Sequence, residues 1–229
     1  MTSLFETSAA LRQAWPSAHA FPCTSLSFIS CYVYSPRAAG ATAEASRLLC
    51  ARVKASDPVW LPRYAGSVYR ASTRDSELAA LFGCSAMLVP VPGSSISAGG
   101  PWAAERLAAA LGMVGLGQRV WPALRRQLAL RKSATSPAGA RPSVREHYES
   151  FAIARGPVAA AKIVLVDDVI TKGRTLLAAA ARLQAEWPHA DIRAFALIRT
   201  VGFVPRMTQL LELCHGVVRW AGGDARREP

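Results

Sequence analysis

Apolar positions along this chain change period in a way that marks out elements. Phe28-Ile-Ser-Cys-Tyr-Val-Tyr34 is a run of aromatic and branched residues that predicts a buried strand, stopped by Pro36. Before it, residues 5–15 predict a short helix. From Ala41 to Ala55, Ala45, Leu48, Leu49, Ala51 and Val53 recur at roughly helical spacing, with Glu44, Arg47 and Lys54 on the polar side, so a helix is predicted there. Residues 56–71 contain Pro58, Pro62 and Gly66 and read as a loop or hairpin. Ser72 is then a candidate cap for a helix running to about Phe82, which Gly83 ends.

Ala86-Met-Leu-Val-Pro-Val91 predicts a short apolar strand leading into Pro92-Gly-Ser-Ser95, turn chemistry expected where a strand meets a binding loop. Ala103–Leu111 predicts a helix, and one strand is expected within Arg119–Leu130. The polar stretch Arg131–Arg145, with Lys132, Arg141 and two prolines, is a candidate mobile loop. Lys162–Asp168 as a buried strand, Thr175–Ala185 as a helix and Asp191–Arg199 as a strand compose a βαβ unit. Beyond Pro205 the expectation is a helix over Met207–Cys214, a short strand over Val217–Trp220 and a frayed polar tail from Gly222. No internal repeat is visible. The pattern is that of an α/β protein with a mainly parallel sheet.

The segment richest in chemistry is Ile163-Val-Leu-Val-Asp-Asp-Val-Ile-Thr-Lys-Gly-Arg-Thr175. A parallel-strand run ends in two carboxylates, and ligands of open α/β sheets bind at that end of a strand. Gly173 permits a tight turn, the amides around Thr171–Thr175 can converge on a phosphate at the helix start, and both threonine hydroxyls add donors. Other readings fit less well. Simple capping of the next helix requires neither two carboxylates nor the Thr-x-Gly-x-Thr spacing. A receiver domain, whose first strand also ends in paired aspartates, needs more βα units than the ~60 residues that follow can build. No Gly-x-x-x-x-Gly-Lys-Ser/Thr loop occurs.

Composition adds scale and charge. The 229 residues, 51% hydrophobic and 18% charged, suit one large domain or a domain with a subdomain. A net charge of +12, with 23 of the 27 basic residues arginine, points to anionic partners: a polyphosphate substrate, nucleic acid or an acidic protein. The competing reading is a compositional bias spread over a solvated surface. Five cysteines without a C-x-x-C pair argue against a disulfide framework or a cysteine zinc site. Glu6 and Arg12 interrupt any signal-peptide core, and no run approaches ~18 apolar residues, so a cytoplasmic chain without a membrane partner is expected. His19, His147, His189 and His215 fall in no metal spacing; His147, beside the candidate mobile loop, is either a general base or an exposed histidine on a short helix.

The Ile163–Thr175 segment resembles the motif with which type I phosphoribosyltransferases bind 5-phosphoribosyl-1-pyrophosphate (PRPP). The resemblance implies that Asp167 and Asp168 contact the ribose hydroxyls, directly or through Mg2+, and that Thr171, Lys172, Gly173, Arg174 and Thr175 hold the 5-phosphate. Lys172 and Arg174 depart from the small residues common in that loop. Leu88-Val-Pro-Val-Pro-Gly-Ser-Ser95 is similar to the pyrophosphate loop of the same superfamily, especially its ComF-like and amidophosphoribosyltransferase-like branches. Arg131-Lys132 and Arg145-Glu-His-Tyr-Glu-Ser-Phe151 are similar to the arginine-bearing segment of the ComF-like branch, whose cysteine zinc module is not found in residues 1–85.

The resemblance covers roughly residues 86–199. It implies a type I phosphoribosyltransferase fold: a core over 86–221, a hood-like N-terminal segment over 1–85 and a flexible tail over 222–229. Pro92, Gly93, Ser94, Ser95, Arg131, Lys132 and Arg145 become the expected pyrophosphate ligands. The implied activity is magnesium-dependent transfer of ribosyl 5-phosphate to a nitrogen acceptor with release of pyrophosphate, and a homo-oligomer is compatible with it. Two other functions stay open: a PRPP or nucleotide sensor without catalysis, and a nucleic-acid-associated component of DNA uptake or defence.

Overall fold

The computed structural model describes residues 15, 21–95, 100–131, 141–154, 161–202 and 204–229. The helix expected over 5–15, apart from Trp15, and most of the Arg131–Arg145 stretch lie outside the described residues. Strand β1 (Ser25–Tyr34) is followed by helices α1 (Ala41–Lys54), α2 (Trp60–Ser72) and α3 (Ser76–Leu81). Then come β2 (Met87–Pro90), α4 (Ala103–Met113), β3 (Arg119–Val120), β4 (Leu124–Arg126), α5 (Val144–Ser150) and β5 (Phe151–Ile153). The βαβ unit follows as β6 (Lys162–Ile170), α6 (Arg174–Glu186) and β7 (Asp191–Thr200), and the chain ends in β8 (Leu211–Ala221) and β9 (Asp224–Glu228).

A seven-stranded sheet has the order β3-β2-β6-β7-β1-β8-β9, and β4 pairs with β5 separately. The strands from β3 to β1 are mutually parallel, while β8 runs antiparallel to β1 and β9 antiparallel to β8. In β6, Ile163, Val164, Leu165 and Val166 are each 0% exposed, as expected of a parallel strand covered on both faces. Alternation sends Ile163 and Leu165 into a core with α5 and α6, and Val164 and Val166 into a second core with α1–α4. β2 therefore continues into α4 on one face of the sheet, and its neighbour β6 into α6 on the other. Such divergence of adjacent connections opens a crevice at the carboxyl ends of the two strands.

Several expectations are corrected. The stretch 56–71 is mostly helix: Pro62 falls in the first turn of α2, where a missing N–H breaks no helical bond, and Leu61, Tyr64, Ala65 and Val68 form its buried stripe. Asp75, not Ser72, caps α3, accepting from the Leu78 amide at 2.7 Å. The helix expected over Met207–Cys214 is instead the entry to β8, which satisfies the open edge of β1 over Ser25–Tyr32. The expected tail doubles back through Gly222 and Gly223, both at positive φ (59° and 122°), into β9. The strand expected in the N-terminal segment is β1, which lies between β7 and β8. Among the described residues no helix is long and apolar enough to cross a membrane.

Candidate functional site

Asp167 and Asp168 sit near the end of β6, and strand alternation turns them to opposite faces. Asp168 faces α1, with Lys54 Nζ 3.6 Å from Oδ2. Asp167 faces the α5–α6 side, in a pocket with His147 and the 171–175 loop. Each carboxylate accepts the next backbone N–H: Asp168 N to Asp167 Oδ1 and Val169 N to Asp168 Oδ1, both at 2.9 Å. Burial, and then the neighbouring Asp168 charge, push the Asp167 carboxyl well above the usual range. The Lys54 ammonium is held above its ordinary value, first by Asp168. Sequence reasoning did not single out Lys54, which arrives from a helix more than a hundred residues upstream.

Gly173 starts α6 at φ 82°, and a Cβ there would come within 2.5 Å of Val218 Cγ2, so both the turn and the packing require glycine. Among the described residues no side chain caps α6, which leaves its first amides available to an anion. Thr175 Oγ1 lies 3.4 Å from His147 Nε2, and Thr171 Oγ1 lies 3.3 Å from Thr200 Oγ1. The two basic residues of this loop are engaged elsewhere. Arg174 pairs with both oxygens of Asp224 on β9 and donates to the Arg141 and Pro142 carbonyls at 3.4 and 3.3 Å; Lys172 Nζ is 3.9 Å from the same Asp224. Arg227, also on β9, donates to the Ile170 and Thr200 carbonyls at 3.1 and 2.7 Å, tying the ends of β6 and β7 together.

Register brings the second loop alongside. Pro90 is opposite Val166, and the Val91 amide donates to the Val166 carbonyl at 2.9 Å, so Pro92–Ser95 leaves the sheet beside the aspartates. The two loops line one cleft of about 640 Å³ that also holds Lys54, Arg126 and His147. Arg131 and Arg145 are not in its wall: Arg131 is exposed, and Arg145 pairs with Glu149 at 2.8 Å and lies over the Trp15 ring. Lys132 is outside the described residues. Arg141, from the same polar stretch, does line the cleft.

His147 is buried, 4% exposed, not a surface histidine. The cause is α5, started by a reciprocal Ser143–Glu146 capping box, which turns the ring inward onto Phe151. Burial, followed by the nearby Arg126 charge, pushes its pKa down to about 3. The ring is neutral at physiological pH. Because Arg126 Nη1 can only donate, Nδ1 at 3.5 Å is the acceptor, and Nε2–H is left to face Thr175.

Among the described residues no three His, Cys, Asp or Glu side chains converge as a metal cage. The Asp167–Asp168 pair still fits magnesium of the kind that keeps its waters and shares substrate oxygens, because mutual repulsion at a partly buried pair is relieved by a cation. The cleft therefore offers hydroxyl or cation acceptors in the middle, an uncapped helix start with two threonines on one side and a small-residue loop on the other. Neither a scan against protein-family models nor a search of curated proteins finds a match to the chain.

Proposed function

We propose that the chain has the type I phosphoribosyltransferase fold, binds PRPP with magnesium, and transfers ribosyl 5-phosphate to a nitrogen acceptor with release of pyrophosphate. One observation carries this reading: the switch-point cleft joins the Asp167–Asp168 pair, the uncapped α6 start and the Pro92–Ser95 loop around one volume. A ligand with two ring hydroxyls between a phosphate and a diphosphate matches that order of groups. Asp167 and Asp168 hold the ribose hydroxyls, the 171–175 amides and threonines hold the 5-phosphate, and Pro92–Ser95 receives the diphosphate. Magnesium, when bound, neutralises charge that develops on the leaving diphosphate.

In the reaction the anomeric C–O bond to pyrophosphate breaks, a C–N bond forms and the nitrogen loses a proton. Positive charge at the anomeric carbon is stabilised by the adjacent carboxylates. His147 does not take that proton at neutral pH, since its site disfavours the imidazolium. The basic residues of the 171–175 loop have structural partners, so phosphate binding falls to amides and hydroxyls.

A PRPP sensor without transfer is the second reading, and one contact favours it: Lys54 already neutralises Asp168. Pyrophosphate release separates the two. PRPP and magnesium are incubated with pools of nucleobases, small amines and nucleic acid, beside Asp167→Asn. Release above that variant in any pool supports transfer; tight PRPP binding without release supports the sensor; absence of PRPP binding overturns both.

A further inference from the structure

The loop that follows β2 is held from one side by a single short segment. Arg126 Nη2 donates to the Pro92 carbonyl at 3.1 Å and Nε to the Gly93 carbonyl at 2.8 Å, while the Leu130 amide donates to the Ser94 carbonyl at 2.8 Å. Three consecutive carbonyls thus have donors from residues 126–130. In a planar trans peptide the C=O of one residue and the N–H of the next point opposite ways, and no peptide bond among the described residues is cis. The amides of Gly93, Ser94 and Ser95 therefore all turn away from that segment, and none of them has a backbone partner among the described residues.

Arg126 is unusual in its own right. It is 7% exposed, lies 4.2 Å over the Phe151 ring and also donates to Ser150 Oγ. Its hydrogen-bond partners among the described residues are neutral: two carbonyls, a hydroxyl and the neutral His147. A guanidinium buried with neutral acceptors alone is costly, and the cost is offset when an anion comes to rest nearby. Asp167, whose charge acts on it across the cleft, belongs to the ribose end.

We propose that Arg126 is a positioning residue for a diphosphate: it fixes the Pro92–Ser95 loop with its amides presented to the anion, and its buried charge favours that anion from behind the loop. The inference deepens the function proposed above and rests on that reading of the loop. Lysine cannot reproduce it, because a single ammonium does not span two carbonyls with the fixed fork of a guanidinium.

The test measures binding of inorganic pyrophosphate with magnesium, and separately of ribose 5-phosphate, to wild type, Arg126→Lys and Leu130→Pro by calorimetry. Leu130→Pro removes the third donor while keeping the arginine. Both variants are expected to weaken pyrophosphate by about tenfold or more and to leave ribose 5-phosphate within about twofold. Wild-type affinity for pyrophosphate in Arg126→Lys, equal losses for both ligands, or no pyrophosphate binding by wild type would each overturn the proposal. Wild type that binds pyrophosphate but not PRPP removes the transferase reading and leaves Arg126 judged on pyrophosphate alone.

Discussion

Arg174, at the first position of α6, and Asp224, at the first position of β9, face each other as a two-pronged ion pair, with Nη2 2.6 Å from Oδ2. The contact spans 50 residues and makes the last strand of the chain a support for the candidate phosphate loop. It also explains why two cations can sit in that loop without dominating it: Asp224 neutralises Arg174 directly and Lys172 at longer range.

Replacing Asp224 with Asn is expected to destabilise the fold by no more than ~1 kcal/mol at neutral pH, since the carboxylate is partly exposed and screened. The Arg174 hydrogen bonds hold its carboxyl below the ordinary 3.8, so the native state favours the ionised form. Its contribution is full above that ordinary value and is lost as pH falls through the folded value. Urea unfolding of wild type and Asp224→Asn should therefore differ at pH 7 and converge in strong acid.

The carboxylate pair is tested by ligand stabilisation. PRPP with magnesium at about 100 times its dissociation constant should stabilise wild type by ~2.7 kcal/mol. Asp167→Asn with Asp168→Asn should abolish that shift, and the ligand-free variant should stay folded because the change removes repulsion from a buried site. Equal thermal shifts in the two proteins would remove these residues from the ribose site.

His147 gives a second pH signature of opposite origin. Its pKa is about 3 in the native state against an ordinary 6.5, so between those values the unfolded chain binds more protons. Stability should fall as pH drops from 6.5 towards 3, with a slope approaching ~1.4 kcal/mol per pH unit from this group. His147→Gln should flatten that slope in denaturant titrations at graded pH. In the pyrophosphate-release assay the same variant should leave the pH profile near neutrality unshifted.

Gly173→Ala is expected to cost more than ~1 kcal/mol, from the left-handed backbone and from the contact with Val218. Introducing Val218→Ala into that background should recover part of the loss, which a double-mutant cycle of urea midpoints reads directly. Strict additivity of the two substitutions would show that Val218 does not enforce the glycine.

Local chemistry was legible in the residues. An apolar run ending in Asp167-Asp168, a glycine turn and a helix are all specified within thirteen consecutive positions, as are the short β2 strand and its Pro92–Ser95 turn. The β8–β9 hairpin was missed, although Gly222-Gly223 between two strand-length runs is a two-residue hairpin signal, because the charge of the terminal residues suggested a frayed tail. In α2, three turn-forming residues outweighed a helical stripe, although a proline in a first turn is harmless.

By itself, then, the sequence determined an α/β alternation, the strand that carries the carboxylates and the turns that follow two strands, because period and turn chemistry act over a few neighbouring residues. Only the tertiary structure decided that β2 lies beside β6, that Lys54 reaches Asp168, that Arg126 holds the Pro92 and Gly93 carbonyls, and that Asp224 occupies Arg174. It also decided that His147 is buried and neutral. Partners and protonation depend on burial and on charges brought together from distant positions, and one-dimensional spacing carries no record of either.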